Sequence, residues 1–107
     1  MNALELYRRA YGVRDAALLA TVWPGADTQA LSRQFAGVRY QSVSFDRCAV
    51  RGDGPDRAVA SCAATISSVA NENGPDVVRR REMLTFALRR DGREWRIASV
   101  DGSTVNR

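Results

Sequence analysis

The side chains that could carry out acid–base or metal chemistry are few in this sequence of 107 residues. Histidine is absent, so the chain has no histidine general base, no Ser–His or Cys–His pair and no histidine metal ligand. Two cysteines are too few to close a four-ligand zinc site. We therefore expect no metal and no cofactor, and any chemistry would have to come from carboxylates, tyrosines, arginines and the two cysteines.

Two groups of residues would gain a chemical role only if strand pairing brought them together. Cys48 and Cys62 could form a disulfide if their strands place them side by side. Glu82 and Asp101, with Arg80 nearby, could act as an acid and a base if they face each other, because the proximity of like charges raises one pKa. Both possibilities depend on the elements that position these residues.

Helical patterns occupy the first third of the chain. Leu4, Tyr7 and Tyr11 repeat at helical spacing, and we expect Gly12 to end this helix. Asp15 is typical of the N-cap of a second helix. The sequence Trp23-Pro24 ends the second helix because proline lacks an amide hydrogen, and a third helix is predicted from about residue 27 or 28 to 36.

Four extended segments follow, separated by turn-rich segments at 52–56, 71–75 and Asp91-Gly92. Asp91-Gly92 is the strongest hairpin signal, because a type I′ turn requires positive φ at both central residues. Three sequential hairpins give an antiparallel sheet, and the helices can cover only one face of it. The predicted fold class is α+β: a single domain over residues 1–107, with two to three helices at about 3–36 packed on a curved, cone-like, four-stranded sheet at about 38–104.

The turn centres predict the register of this sheet. They pair Cys48 with Cys62, and centring the last turn on Asp91-Gly92 pairs Glu82 with Asp101. The register places the following residues on one apolar face, which we predict to be the core: Val50, Ala58, Ala60, Cys62, Leu84, Phe86, Leu88, Trp95 and Ile97.

The first strand carries a break in this pattern. Val43 and Phe45 are out of phase with Cys48, so we expect a β-bulge near Asp46-Arg47. The register also leaves two outcomes open for the cysteines, whose Cβ atoms would lie about 4.5–5.5 Å apart. They form a disulfide in an oxidising compartment, or they remain two buried thiols that pack as small apolar side chains.

The opposite face of the sheet is unusually small and apolar. A solvated face would carry charged residues at these alternate positions. We therefore expect a homodimer through this face, with a mildly apolar monomer surface as the alternative. The predicted residues are Val59, Ala63, Met83, Thr85, Ala87, Ala98 and Val100, with Val43 or Phe45 as further candidates.

Several motifs together resemble a known superfamily. They are Tyr7-x-x-x-Tyr11, Arg14-Asp15, Trp23-Pro24 and Phe86-x-Leu88…Gly92-x-x-Trp95-x-Ile97. This pattern covers most of the chain and is similar to the nuclear transport factor 2-like superfamily, including its SnoaL-like and ketosteroid isomerase-like members. The chain looks like a short form of the kind appended to bacterial signalling proteins, because it lacks a clear hairpin between the second and third helices.

The resemblance implies a range of roles. It implies a site for a small apolar ligand, for which the candidate contacts are Tyr7, Tyr11, Trp23, Phe86 and Trp95. For ketosteroid isomerase-like chemistry the candidates are Tyr7, Tyr11, Tyr40, Asp15 and Asp46. Core packing of Tyr7 and Tyr11 and N-capping by Asp15 are the simpler explanations, and we prefer them. Arg80, Glu82 and Asp101 resemble the acid–arginine–acid arrangement of limonene-epoxide hydrolase-type members, and a solvent-screened salt bridge is the alternative.

The sequence therefore predicts a non-catalytic accessory module for homodimerisation, small apolar ligand binding or both, as part of a larger bacterial protein. The alternative is a small-substrate enzyme of the isomerase or epoxide-hydrolase type. Arginines are spread evenly along the chain, which argues against a nucleic-acid partner, and no apolar run is long enough to span a membrane. The expected location is the cytoplasm or, if the full protein is exported, the periplasm.

Overall fold

The computed structural model describes residues 2–70 and 77–104, and its elements are three helices and four strands. The helices are α1 (Asn2–Val13), α2 (Ala16–Val22) and α3 (Thr28–Ala36). The strands are β1 (Val38–Gly52), β2 (Arg57–Ala70), β3 (Val78–Asp91) and β4 (Glu94–Thr104), in the sheet order β1-β2-β3-β4 with all neighbours antiparallel. The predicted α+β fold is confirmed, and the predicted turn at 71–75 lies outside the described residues.

Aspartates cap the starts of the second and third helices; Asp15 is the predicted N-cap, and Asp27 lies at the predicted start of the third helix. The Asp15 carboxylate accepts a hydrogen bond from the Leu18 amide at 3.0 Å, and the Asp27 carboxylate accepts one from the Ala30 amide at 3.1 Å. Each bond satisfies an amide that has no partner within its own helix. The two caps determine the residue at which each short helix starts. The start of each helix in turn determines which of its side chains face the sheet.

The first helix ends later than predicted. It continues through Gly12, and Arg14 takes the left-handed conformation with φ 56°. The Arg14 amide donates to the Tyr11 carbonyl at 3.2 Å and the Asp15 amide donates to the Ala10 carbonyl at 3.0 Å, which together form a Schellman motif. The prediction that Gly12 ends the helix is therefore wrong, because the capping bonds form around Arg14.

The first three strands pair in the predicted register. Cys48 lies opposite Cys62, and Ala60 lies opposite both Val50 and Phe86. A register shift between Phe45 and Arg47 confirms the bulge predicted near Asp46-Arg47. It also turns Val43 and Phe45 towards the helices, where Val43 is buried and Phe45 packs on the core, so neither joins the opposite face.

The register of the last hairpin differs from the prediction. Asp91 pairs with Glu94, so the turn residues are Gly92 and Arg93, and Gly92 has φ 67° at the first central position. A glycine at that position is the requirement of a type II′ turn. A second shift between Ala87 and Leu88 moves the rest of the strand by one further residue.

The core lies between the helices and one face of the sheet, largely on the predicted residues. Val50 is an exception at 56% exposure, because residues 47–52 at the end of β1 are all exposed. No helix in the described part of the chain is long and apolar enough to cross a bilayer. The largest fully buried side chains are Phe86, Leu19, Ile97 and Cys62.

Candidate functional site

An aromatic cluster occupies the space between α1 and the sheet. The i, i+4 spacing on α1 places Tyr7 beside Tyr11, with ring centroids 4.7 Å apart. Tyr7 also makes an edge-on contact with Phe86 at 4.9 Å and lies 6.4 Å from Trp23. Four of the five residues predicted to contact a ligand therefore belong to one cluster.

Two phenylalanines that the sequence did not mark as site residues extend this cluster. Phe35 of α3 makes an edge-on contact with Tyr11 at 5.3 Å, and Phe45 of β1 makes one with Phe86 at 5.9 Å. The bulge after Phe45 was the available signal, since it reverses the side to which that ring points. With Tyr7 at 5% exposure and Phe86 at 0%, packed rings fill the centre of the cone.

Trp95 lies apart from the cluster. It is half-buried and lines a surface groove of about 200 Å³ together with Ala3, Leu6, Arg93 and Glu94. None of the ring contacts recorded among the described residues includes Trp95. The structure thus does not place Trp95 with the other four candidates.

The hydroxyl groups of the two clustered tyrosines have raised pKa values. Burial is the main cause that raises the pKa of Tyr7 and of Tyr11. A hydrogen bond between the two hydroxyls raises the pKa of Tyr7 further and opposes the rise at Tyr11, as expected if Tyr7 donates and Tyr11 accepts. Both phenols therefore remain neutral at physiological pH.

A charged pair lies beside these phenols. Arg80 Nε and Glu82 Oε2 are 2.6 Å apart, and the Glu82 side chain is only 19% exposed. The negative charge of Glu82 contributes to the raised pKa of Tyr7 and of Tyr11, whereas Arg80 lowers that of Tyr11. The cluster therefore holds two neutral phenol groups next to an ion-paired carboxylate, a set that could donate and accept protons if a substrate reached it.

Asp101 is absent from this group, contrary to the predicted register. Asp101 pairs with Thr85 on the other face of the sheet, and Glu82 pairs with Thr104. The prediction that Glu82 and Asp101 face each other is wrong for two reasons, the later turn and the second bulge. The acid–arginine–acid arrangement does not form, and only its Arg80–Glu82 half is present.

The cysteines form a disulfide across β1 and β2. Their Cα atoms are 4.1 Å apart, and the bond spans a sequence separation of 14. Cys62 is fully buried on the core side whereas Cys48 is exposed. The predicted cross-strand pairing is confirmed, and of the two outcomes that the sequence left open the structure has the disulfide.

Residues 2–70 and 77–104 contain no group of three or more His, Cys, Asp or Glu side chains that could hold a metal ion.

The sheet face turned away from the helices carries most of the predicted dimer residues. We call this set the open face: Val59, Ala63, Met83, Thr85, Ala87 and Ala98. Met83 is 40% exposed, and Val59, Ala63 and Ala87 are half-buried. Val100 was predicted here wrongly, because the second bulge pairs it with Phe86 and packs it against the core.

Comparison with known proteins shows likeness in structure only. No protein-family model and no curated protein matches the chain. A candidate dehydratase of the nuclear transport factor 2-like family from Streptomyces avermitilis matches with a TM-score of 0.83 and 18% identity, over 99% of this chain and 94% of that one.

Two further solved structures show the range of similar proteins. A type 2 hexachlorocyclohexane dehydrochlorinase matches with a TM-score of 0.79 and 11% identity, over 95% of this chain and 80% of that one. A candidate calcium/calmodulin-dependent protein kinase II association domain from Xanthomonas campestris matches with a TM-score of 0.77 and 11% identity, over 95% of this chain and 82% of that one. The chain therefore has the nuclear transport factor 2-like fold, as the resemblance of its motifs implied.

Proposed function

We propose that this chain is a non-catalytic module that forms a homodimer through its open face. The proposal rests on the difference between the two faces of the sheet. The packed helices and aromatic rings lie on one face. The open face has small apolar residues, and no helix or strand within the described residues covers it. Uncovered apolar sheet surface of this kind is typical of an interface.

The size of the sheet is adequate for such an interface. The strands contain 11 to 15 residues each. Ten residues across four strands cover roughly 600 Å² in projection at about 4.8 Å between strands and about 3.3 Å per residue. This area includes arginines at both ends of the open face, and it approaches the area of about 800 Å² that each partner buries in a standard stable interface.

The filled cone supports the non-catalytic part of the proposal. Enzymes and ligand carriers need a concave site that encloses a small molecule. Here Tyr7, Phe86 and Leu19 have 5%, 0% and 0% exposure, so their side chains occupy the space that a substrate would need. The charged pair Arg80–Glu82 stays at the edge of this packed region.

The compared structures are consistent with a role in assembly within a larger bacterial protein. One of them is a candidate calcium/calmodulin-dependent protein kinase II association domain, and the others include a candidate dehydratase and a dehydrochlorinase. The disulfide between Cys48 and Cys62 favours the exported alternative, because such bonds persist in oxidising compartments.

Ala63→Arg tests the dimer by placing a charge in the middle of the open face, between Arg47 and Met83 of the neighbouring strands. We expect wild type to sediment as a dimer and Ala63→Arg as a folded monomer. Ala17→Arg makes the same change at an exposed position on α2 and should remain a dimer. A monomeric wild type at high concentration, or a dimeric Ala63→Arg, would contradict the proposal.

A second function, a small-substrate enzyme or ligand carrier, is favoured by one observation: the two neutral phenols lie beside Glu82. The dehydratase and dehydrochlorinase assignments belong to similarly folded proteins. The test is turnover of a panel of small epoxides and enones by wild type and by Glu82→Gln. Turnover that Glu82→Gln abolishes would replace the non-catalytic proposal.

A further inference from the structure

Three arginines lie in one row across neighbouring strands, at the end of the sheet that carries the β1–β2 and β3–β4 turns. Arg57 pairs with Arg89, and Arg89 pairs in turn with Arg96. Directly opposed residues on antiparallel strands have Cβ atoms about 4.5–5.5 Å apart, and like charges there repel each other. The row is therefore stabilised only where a negative charge offsets this repulsion.

Three of the nearby acids pair with Arg90 or with Arg96 at the outer end of the row. Arg90 Nη2 lies 3.1 Å from Asp56 Oδ1. Arg96 lies 3.4 Å from Glu94 through Nη2–Oε1 and 3.6 Å from Asp91 through Nε–Oδ2. Arg96 thus has acidic partners of its own, and those acids offset its charge.

Arg57 and Arg89 have no such partners. Both are exposed, and neither takes part in an ion pair within residues 2–70 and 77–104. A groove of about 280 Å³ lies along them. Its lining has two arginines, one acid and an apolar side: Arg57, Arg89, Asp53, Ala87, Leu88 and Ala98.

A second groove of about 190 Å³ lies on the far side of Arg89 and shares Ala98 with the first. Ala98 is the extra residue of the second bulge, between the Ala87–Ser99 and Leu88–Ile97 pairs. Its small side chain leaves Arg89 accessible from both grooves. Arg96 also lines this second groove, and its Nε atom is buried without a hydrogen-bond partner among the described residues.

We propose that Arg57 and Arg89 bind the phosphate group of a small phosphate monoester. Two guanidinium groups match the oxygens of one phosphate through paired, charge-assisted hydrogen bonds. The groove volume is below the range of about 300–1,000 Å³ for drug-sized ligands, so the ligand is small. Both arginines come from one chain and neither belongs to the open face, so the phosphate contacts do not rest on the proposed dimer.

The test is calorimetric titration of the chain with inorganic phosphate and with phenyl phosphate at constant ionic strength. We expect saturable one-to-one binding of both phosphates. Arg89→Gln should weaken binding about tenfold or more, since it removes a charge-assisted pair. Arg81→Gln removes the same charge from an exposed position on the same strand and should leave the affinity unchanged.

Two further measurements have a predicted direction of change. Asp53→Asn should tighten phosphate binding, because it removes the only negative charge that lines the groove. Phosphate should raise the melting temperature of wild type and leave that of Arg89→Gln unchanged, which separates lost binding from lost folding. The Ala63→Arg variant should bind phosphate as wild type does, so a failure of the dimer proposal would not affect this measurement.

Three results would overturn the site. One is the lack of saturable binding of either phosphate by wild type. Another is an equal loss of affinity in Arg81→Gln and Arg89→Gln, which would indicate general charge attraction. The third is binding of duplex DNA or anionic lipid vesicles that phenyl phosphate does not displace, which would assign the arginines to a macromolecular surface.

Discussion

Among single side chains, Tyr7 and Tyr11 are buried groups whose ionisation the fold opposes. Burial, aided by the charge of Glu82, raises the pKa of both phenols. A raised pKa means that the neutral phenols stabilise the folded chain fully below the ordinary tyrosine pKa of about 10, and that this contribution is lost as the pH rises above it.

We therefore predict that alkali unfolds the protein before these phenols ionise. The chain has no lysine and its cysteines are joined, so tyrosines are the side chains that titrate above neutral pH while arginines stay charged. In a Tyr40→Phe background, phenolate absorbance should rise together with the loss of circular dichroism. Phenolate absorbance at about pH 10 from a chain that is still folded would contradict the burial of both groups.

Two residues of the predicted core face differ in how deeply they are buried. Phe86 and Val50 lie on the same side of the sheet, with 0% and 56% exposure. Phe86→Ala should lower the free energy of unfolding by about 3–5 kcal/mol through lost burial and a residual cavity. Val50→Ala should change it by less than about 0.5 kcal/mol. Urea denaturation at fixed protein concentration measures both, and similar losses would show that the helices also cover the end of β1.

At the level of elements, the sequence predicts the sheet well where side chains differ strongly between faces. Cys48–Cys62 and Ala60–Phe86 follow from alternation of apolar and polar residues. Trp95 and Ile97 lie on the predicted face even though the predicted turn was wrong. Each pairs with a residue two positions from its predicted partner. Since successive side chains of a strand point to opposite faces, a shift of two residues leaves the face unchanged.

The rest of β4 could not be predicted in the same way. The second bulge shifts the register by one residue, which moves Val100 and Asp101 to opposite faces from those predicted. Ala98 and Ser99 at this bulge are small and fit either face, so the sequence contains no contrast that marks it. The candidate site was therefore predicted for its aromatic part on α1 and β3 and missed for the Glu82–Asp101 pair.

The disulfide links two neighbouring strands, and we predict that it stabilises the β1–β2 hairpin. Closing a loop of about 15 residues contributes about 3 kcal/mol in the chain-entropy account. Reduction should lower the free energy of unfolding by about that amount, measured in urea with and without reductant. The double variant Cys48→Ala/Cys62→Ala is the control and should not respond to reductant. An unchanged wild-type stability on reduction would contradict the prediction.

In the whole molecule, one layer of helices and one sheet give principal extents of 47 × 33 × 17 Å. The short dimension reflects this two-layer packing, which leaves the second sheet face without a layer of its own. The arginine row and the open face lie next to each other on that uncovered side. A dimer through the open face and a phosphate at its end would together give function to the side of the sheet that the helices leave exposed.

The central claim, a homodimer through the open face, is tested most directly at Met83. The chain has two methionines, so the Met83 methyl signal can be identified in isotope-labelled protein by comparison with Met83→Leu. In a mixture of labelled and unlabelled chains, we predict nuclear Overhauser contacts from the labelled Met83 methyl to protons of the unlabelled partner. A dimer in which Met83 shows contacts only within its own chain, or a monomer, would contradict the account.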